Sequence, residues 1–173
     1  MFLGGLRAKS ILRKIKEQVA NRSYEYKKAS LLKIGIIQTE HQHIDEAGVA
    51  LLAETLEVKS EDITIITYVK KASKEELASG SLFSEHQIGW KGQPKHEVLK
   101  SFTNTPFDIV VSYYTTSDLG LLATTAYSKA RFKVGLNTEI SGLNDLVIEG
   151  VIGDFTLFVK ELKKYLQILK IAI

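Results

Sequence analysis

The chain has 173 residues, 45% of them apolar and 25% charged, with a net charge of +3 and no cysteine. That length fits one domain with a real core, and the lack of cysteine excludes disulfides, thiolate metal sites and cysteine nucleophiles. No apolar run approaches the roughly 20 residues that span a bilayer, and "MFLGGL" is too short for a signal-peptide core and leads into basic residues, so the expected location is cytoplasmic.

The charge is unevenly spread. Residues 1–30 carry eight basic side chains (Arg7, Lys9, Arg13, Lys14, Lys16, Arg22, Lys27 and Lys28) and two acids (Glu17 and Glu25), a net +6, which leaves the rest at −3. Periodicity predicts a helix over 6–28, with Ala8, Ile11, Leu12, Ile15, Val19 and Tyr26 on a stripe about 100° wide. Of the basic residues only Arg22 intrudes on that stripe. The expected organisation is a basic helical leader, 1–30, followed by a single α/β domain, 31–173. The stripe can dock on the chain's own domain, on a partner or on a membrane surface. The basic face suits nucleic-acid phosphates or an acidic protein, which makes Arg7, Lys9, Arg13, Lys14 and Lys16 the candidate partner-binding residues. Tyr24 and Tyr26 are too few aromatics for sequence-specific RNA readout.

From residue 31 short apolar runs alternate with helical spacing. "LLKIGIIQ" (31–38) is apolar on both faces, as a strand covered on both sides would be. A helix follows in "IDEAGVALLAETLEV", with Asp45 or His43 as its cap, and then the strand "DITIITYV" (62–69). The stretch 70–95 reads as a surface excursion with a short strand near "QIGW". A helix at 95–103 leads to the strand "FDIVVSYY" (107–114), and a second helix spans 117–130 with Leu119, Leu122, Ala123 and Ala126 inward. Two more strands are expected, "RFKVGL" (131–136) and "DLVIEGVI" (145–152). Asp154 caps a last helix with Phe155, Phe158, Val159, Leu162, Leu166 and Leu169 on one face. Such alternation implies a mostly parallel sheet, hence a three-layer Rossmann-like or flavodoxin-like α/β domain with an extra basic N-terminal amphipathic helix.

In such sheets ligands bind beyond the carboxyl ends of the strands, near the topological switch point. Three segments leave strand ends with polar side chains, and they supply the candidate ligand-binding residues: Gln38 and Thr39; Thr115, Thr116 and Ser117; Asn137 and Thr138. Free N–H groups behind Thr116 and Ser117 could hold a phosphate or carboxylate. The commoner role for Thr116, Ser117 and Asp118 is to start a helix, and Asp118 would repel an anion. No glycine-rich nucleotide fingerprint follows any strand, and no G-x-S-x-G context marks a nucleophile. His41-Gln42-His43 lacks a third ligand at a recognised spacing, so no metal is assigned. Trp90, between Gly89 and Gly92, either anchors its loop on the sheet or stacks on a base or ring; anchoring is the commoner role.

Over most of its length the chain resembles an uncharacterised family of small proteins from Bacteroidota, through the basic leader, "IGWKGQPK", "FDIVVSYY", "SKARFKVG", "NDLVIEG" and "ELKKYLQILK". That resemblance implies no known activity. Separately, "FDIVVSYYTTSDLGLLATTAYSKARFKVG" is similar to the last part of the N-terminal Rossmann-like domain of heptosyltransferase-type glycosyltransferases, a likeness that covers a strand, a helix and a strand and implies fold only. With no catalytic motif and no cofactor implied, the expectation is a binding or adaptor domain whose basic helix engages an acidic protein or RNA. The alternative is a binding protein or enzyme for a small anionic or nucleotide-like ligand at the strand-end rim. The apolar tail "YLQILKIAI" is a candidate surface for self-association.

Overall fold

The apolar runs pair as strands. In the computed structural model, which describes residues 2–23, 33–78, 80–136, 139–149 and 153–171, the strands are β1 (Ile34–Thr39), β2 (Ile63–Tyr68), β3 (Leu82–Phe83), β4 (Ile109–Tyr113), β5 (Phe132–Gly135) and β6 (Leu146–Val147). They form one parallel sheet in the order β3-β2-β1-β4-β5-β6. This is the Rossmann strand order, in which the chain direction across the sheet reverses between β1 and β4. Ile34 of β1 lies opposite Ile63 on one side and Ile109 on the other. Every residue of β1 and β4 is buried, which is why both read as unbroken apolar runs.

Helices cover both faces. On one, α2 (Glu46–Leu56) packs with α6 (Phe155–Ile168), and Leu52, Leu56, Phe158 and Leu162 meet Ile34, Ile36, Val111 and Val134. On the other, α4 (Glu97–Asn104) and α5 (Leu119–Tyr127) cover Ile37, Ile66 and Val110. The basic helix α1 (Phe2–Ala20) lies on α5, with Ile11 and Ile15 fully buried in that second core. Its apolar stripe is therefore docked on the chain's own sheet-and-helix body. No helix among the described residues is long and apolar enough to cross a membrane.

Several boundaries differ from the expected ones for identifiable reasons. Helix α1 stops at Ala20, before the poor helix formers Asn21 and Ser23; Tyr26 lies outside the described residues. Arg22 thus leaves the stripe, pairs with Asp145 at 2.6 Å and donates to the carbonyls of Ala130 and Arg131. Within 70–95 there is a short helix, α3 (Lys74–Ala78), started by a reciprocal pair: the Glu76 carboxylate accepts from Ser73 N–H and the Ser73 hydroxyl accepts from Glu76 N–H. The strand in this region is Leu82–Phe83, upstream of "QIGW", where Ile88 makes only an isolated antiparallel bridge to Pro94. Strand β6 is two residues long, and residues 150–152 of the expected strand lie outside the described ones. After α6 the chain turns at Lys170, in left-handed backbone (φ 54°), so Ile171 enters the core in place of Leu169. The apolar tail is accordingly split: Leu166 and Ile171 are buried, Ile168 and Leu169 exposed.

Candidate functional site

At the carboxyl ends of β1 and β4, the residues expected to meet a ligand mostly meet one another. Gln38 is buried; its Nε2 donates to Thr67 Oγ1 at 3.0 Å and its Oε1 accepts from Ile44 N–H at 2.8 Å. Thr39 Oγ1 accepts from Gln42 N–H at 3.0 Å. Gln42 then reaches across the switch point, where its Oε1 accepts from both the N–H and the hydroxyl of Thr115, each at 3.1 Å. The crevice where the chain order reverses is thereby bridged by one amide side chain. Thr116 and Ser117 are exposed beside it, and Asn137 and Thr138 lie outside the described residues.

Asp118 occupies the N-cap position of α5 without a side-chain capping bond. Burial, then the charges of Asp118 and Glu85, push the Tyr68 hydroxyl up to about 12, so it stays protonated at neutral pH. Its ring lies so close to the first turn of α5 that a Cβ on Gly120 would sit 2.7 Å from it. Asp118 therefore adds negative charge where an anion would approach the helix.

A cavity of about 710 Å³ opens on the α2 and α6 side of this rim, with Tyr113 at its wall and the two helix starts at its mouth. Each helix start is capped by its own carboxylate: Asp45 accepts from Gly48 N–H and Asp154 from Leu157 N–H, both at 2.8 Å. Asp154 was the expected cap, and of the two candidates for α2, Asp45 and His43, it is Asp45 that caps; the cavity between the two caps was not legible in the sequence. Burial, and secondly the Asp154 charge, raise the Tyr113 hydroxyl. His41 and His43 are exposed at the entrance, and among the described residues no three His, Cys, Asp or Glu side chains are grouped to hold a metal ion. The cavity can take a small molecule, but its two carboxylates do not favour an anion.

The basic helix divides into an inner and an outer set. Arg7 is drawn inward by Glu85 (2.5 Å) and by the carbonyls of Glu85 and Ile88. Lys14 pairs with Glu17 along the helix, and the Glu17 carboxylate also lies 3.5 Å from Arg13. Lys9, Arg13 and Lys16 face outward and are exposed. Beyond the end of α1 lies a cleft of about 790 Å³, lined by Arg22, Lys100, Lys129 and Arg131 together with Tyr127 and Pro94. On the loop that leads to Pro94, Trp90 is 50% exposed, too open to be the loop's main anchor. The anchors are instead Ile88, which is 2% exposed, and the Tyr127 hydroxyl, which donates to Lys91 O at 2.8 Å.

No curated protein and no solved structure matches the chain. A family model does match, over residues 7–169, and so takes in most of α1 along with the sheet and α6. The chain belongs to that family, DUF6913, a family of unknown function.

Proposed function

We propose that this protein is a non-enzymatic binding module that presents the outer face of α1 to an acidic macromolecular partner. The observation that carries this reading is the division of labour along one helix. Ile11 and Ile15 are fully buried on the body, and this holds Lys9, Arg13 and Lys16 outward as a fixed cationic ridge. A ridge on a docked helix loses little entropy on binding, unlike a free basic tail. The test is the triple variant Lys9→Glu/Arg13→Glu/Lys16→Glu. It is expected to keep the wild-type melting temperature within a few degrees, because these side chains are exposed, and to elute from a heparin column at clearly lower salt. Unchanged elution would end the proposal.

A second reading, a small metabolite bound at the strand ends, is supported by the 710 Å³ cavity beside β1 and β4. Thermal-shift measurements with nucleotides, sugar phosphates and acyl-CoA address it. A stabilising ligand whose effect survives Tyr113→Phe, His41→Ala and His43→Ala would place the site elsewhere.

A further inference from the structure

The tryptophan at position 90, the only one in the chain, stands half exposed on a loop that is otherwise tightly held. Gly89 N–H donates to Gln93 O and Gly92 N–H to Gly89 O. Lys91 N–H donates to Gln93 Oε1, and Lys95 N–H to Gln87 O. On the α1 side, Arg7 donates to Ile88 O. A Cβ on Gly92 would come within 3.5 Å of Ile11 and 3.3 Å of Tyr127. The indole is thus carried outward on a rigid support pressed against α1 and α5. An apolar ring in that setting is pre-organised for a partner surface.

The surroundings state which partner. Lys91 follows Trp90 directly and Lys95 lies five residues on, both exposed, and Pro94 joins the loop to the cleft at the end of α1. Among the described residues no carboxylate lines that cleft; its cations are Arg22, Lys100, Lys129 and Arg131, and Asn21 and Asn104 add neutral amides. Arg22 and Arg131 are engaged with Asp145 and Asp108, and Lys100 pairs with Glu97 at the surface. A surface pair of that kind is weak and yields readily to a phosphate. A track of cations for phosphates, amides for base edges and an outward aromatic for stacking is the chemistry of single-stranded nucleic acid. An acidic peptide would make no use of the ring, and a membrane surface would not fit a concave polar cleft.

We propose that the Gly89–Gly92 loop and the adjoining cleft bind single-stranded RNA, with Trp90 as the stacking platform and Lys91, Lys95, Lys100 and Lys129 as phosphate contacts. This rests on the reading of α1 as a polyanion-binding face and extends it to a class of partner and a second surface. Because Trp90 is the only tryptophan, its fluorescence reports the contact directly. Titration of the full chain with a labelled 12-nucleotide oligo-U is expected to quench that fluorescence and raise the anisotropy along one binding curve. Trp90→Ala, which removes an exposed side chain and should melt like wild type, is expected to weaken binding roughly 5- to 100-fold, with Trp90→Phe between the two. Lys95→Ala and Lys129→Ala should each reduce the steepness of the salt dependence by about one ion. Oligo-U binding without quenching, or binding indifferent to Trp90→Ala, overturns the stacking site and leaves the α1 reading intact. Equal affinity for a duplex overturns it as well. Absence of oligonucleotide binding, with Lys9/Arg13/Lys16-dependent heparin retention preserved, rejects RNA alone; loss of both rejects the α1 reading too.

Discussion

On β5, Lys133 is 1% exposed, and its Nζ donates to the carbonyls of Thr125 (2.6 Å) and Ala126 (3.2 Å) in the last turn of α5. Burial pulls its pKa from 10.5 down to about 7; the charge of Arg22 adds to this and that of Asp145 opposes it. Below pH 7 the folded and unfolded chains both hold the proton, so the burial penalty is fully present. Between about 7 and 10.5 the unfolded chain binds more protons than the folded one, and stability rises with pH. A shift of that size corresponds to about 5 kcal/mol, and the two helix-end carbonyls, which favour the cation, reduce it. Lys133→Met should therefore stabilise the protein by roughly 1–3 kcal/mol near pH 6.5 and by much less near pH 9.5. Urea unfolding at the two pH values checks this, and an equal change at both would contradict the buried-cation account. Gly120 is a simpler case. Its Cα faces the Tyr68 ring so closely that Gly120→Ala must push the ring aside, at about 1–3 kcal/mol; a melting temperature equal to wild type would contradict the packing.

Helix α1 is part of the core, because Ile11 and Ile15 sit among Leu121, Leu122 and Ala123. Ile11→Ala and Ile15→Ala are each expected to cost about 2–5 kcal/mol in denaturant unfolding, far more than any change on the outer basic face. A loss below 0.5 kcal/mol, the usual range for surface substitutions, would mean that the helix is only loosely docked. At the rim, Gln42→Ala leaves Thr115 N–H and its hydroxyl without their acceptor, and about 1–2 kcal/mol is expected to be lost there. The amide of Thr115 should then exchange faster with solvent. The strands β1, β4 and β5 and the caps Asp45 and Asp154 were legible because each depends on its own few neighbours in the chain. Strand β3 was not, since a two-residue pairing has no period to detect; β6 falls inside the strand expected at 145–152. The latch was also out of reach: Gln42 and Thr115 are 73 residues apart, and only the folded distance between two loops makes them partners. For Trp90 the sequence left anchoring and stacking open, with anchoring the commoner; in the fold the ring is half exposed, and Ile88 and Tyr127 hold the loop.

Across the whole molecule burial falls steeply from the centre of the sheet outward. The central strands β1 and β4 are buried throughout, whereas α3 contains no buried residue. Native-state hydrogen exchange should follow that gradient: amides of β1 and β4 exchange only on global unfolding, and Leu77 of α3 exchanges by local opening. Similar protection in both places would refute it. The sheet closes at each side with a two-residue strand, too short an edge to recruit another chain by strand pairing. The docking of α1 on α5 also has a consequence for biosynthesis. Helix α1 leaves the ribosome well before α5, the element on which it has its seat. At 5–20 residues per second, roughly 5–20 s pass between the emergence of Ile15 and that of Leu121. For that interval the newborn protein carries a greasy, positively charged arm with nowhere to settle, close to the most abundant RNA in the cell.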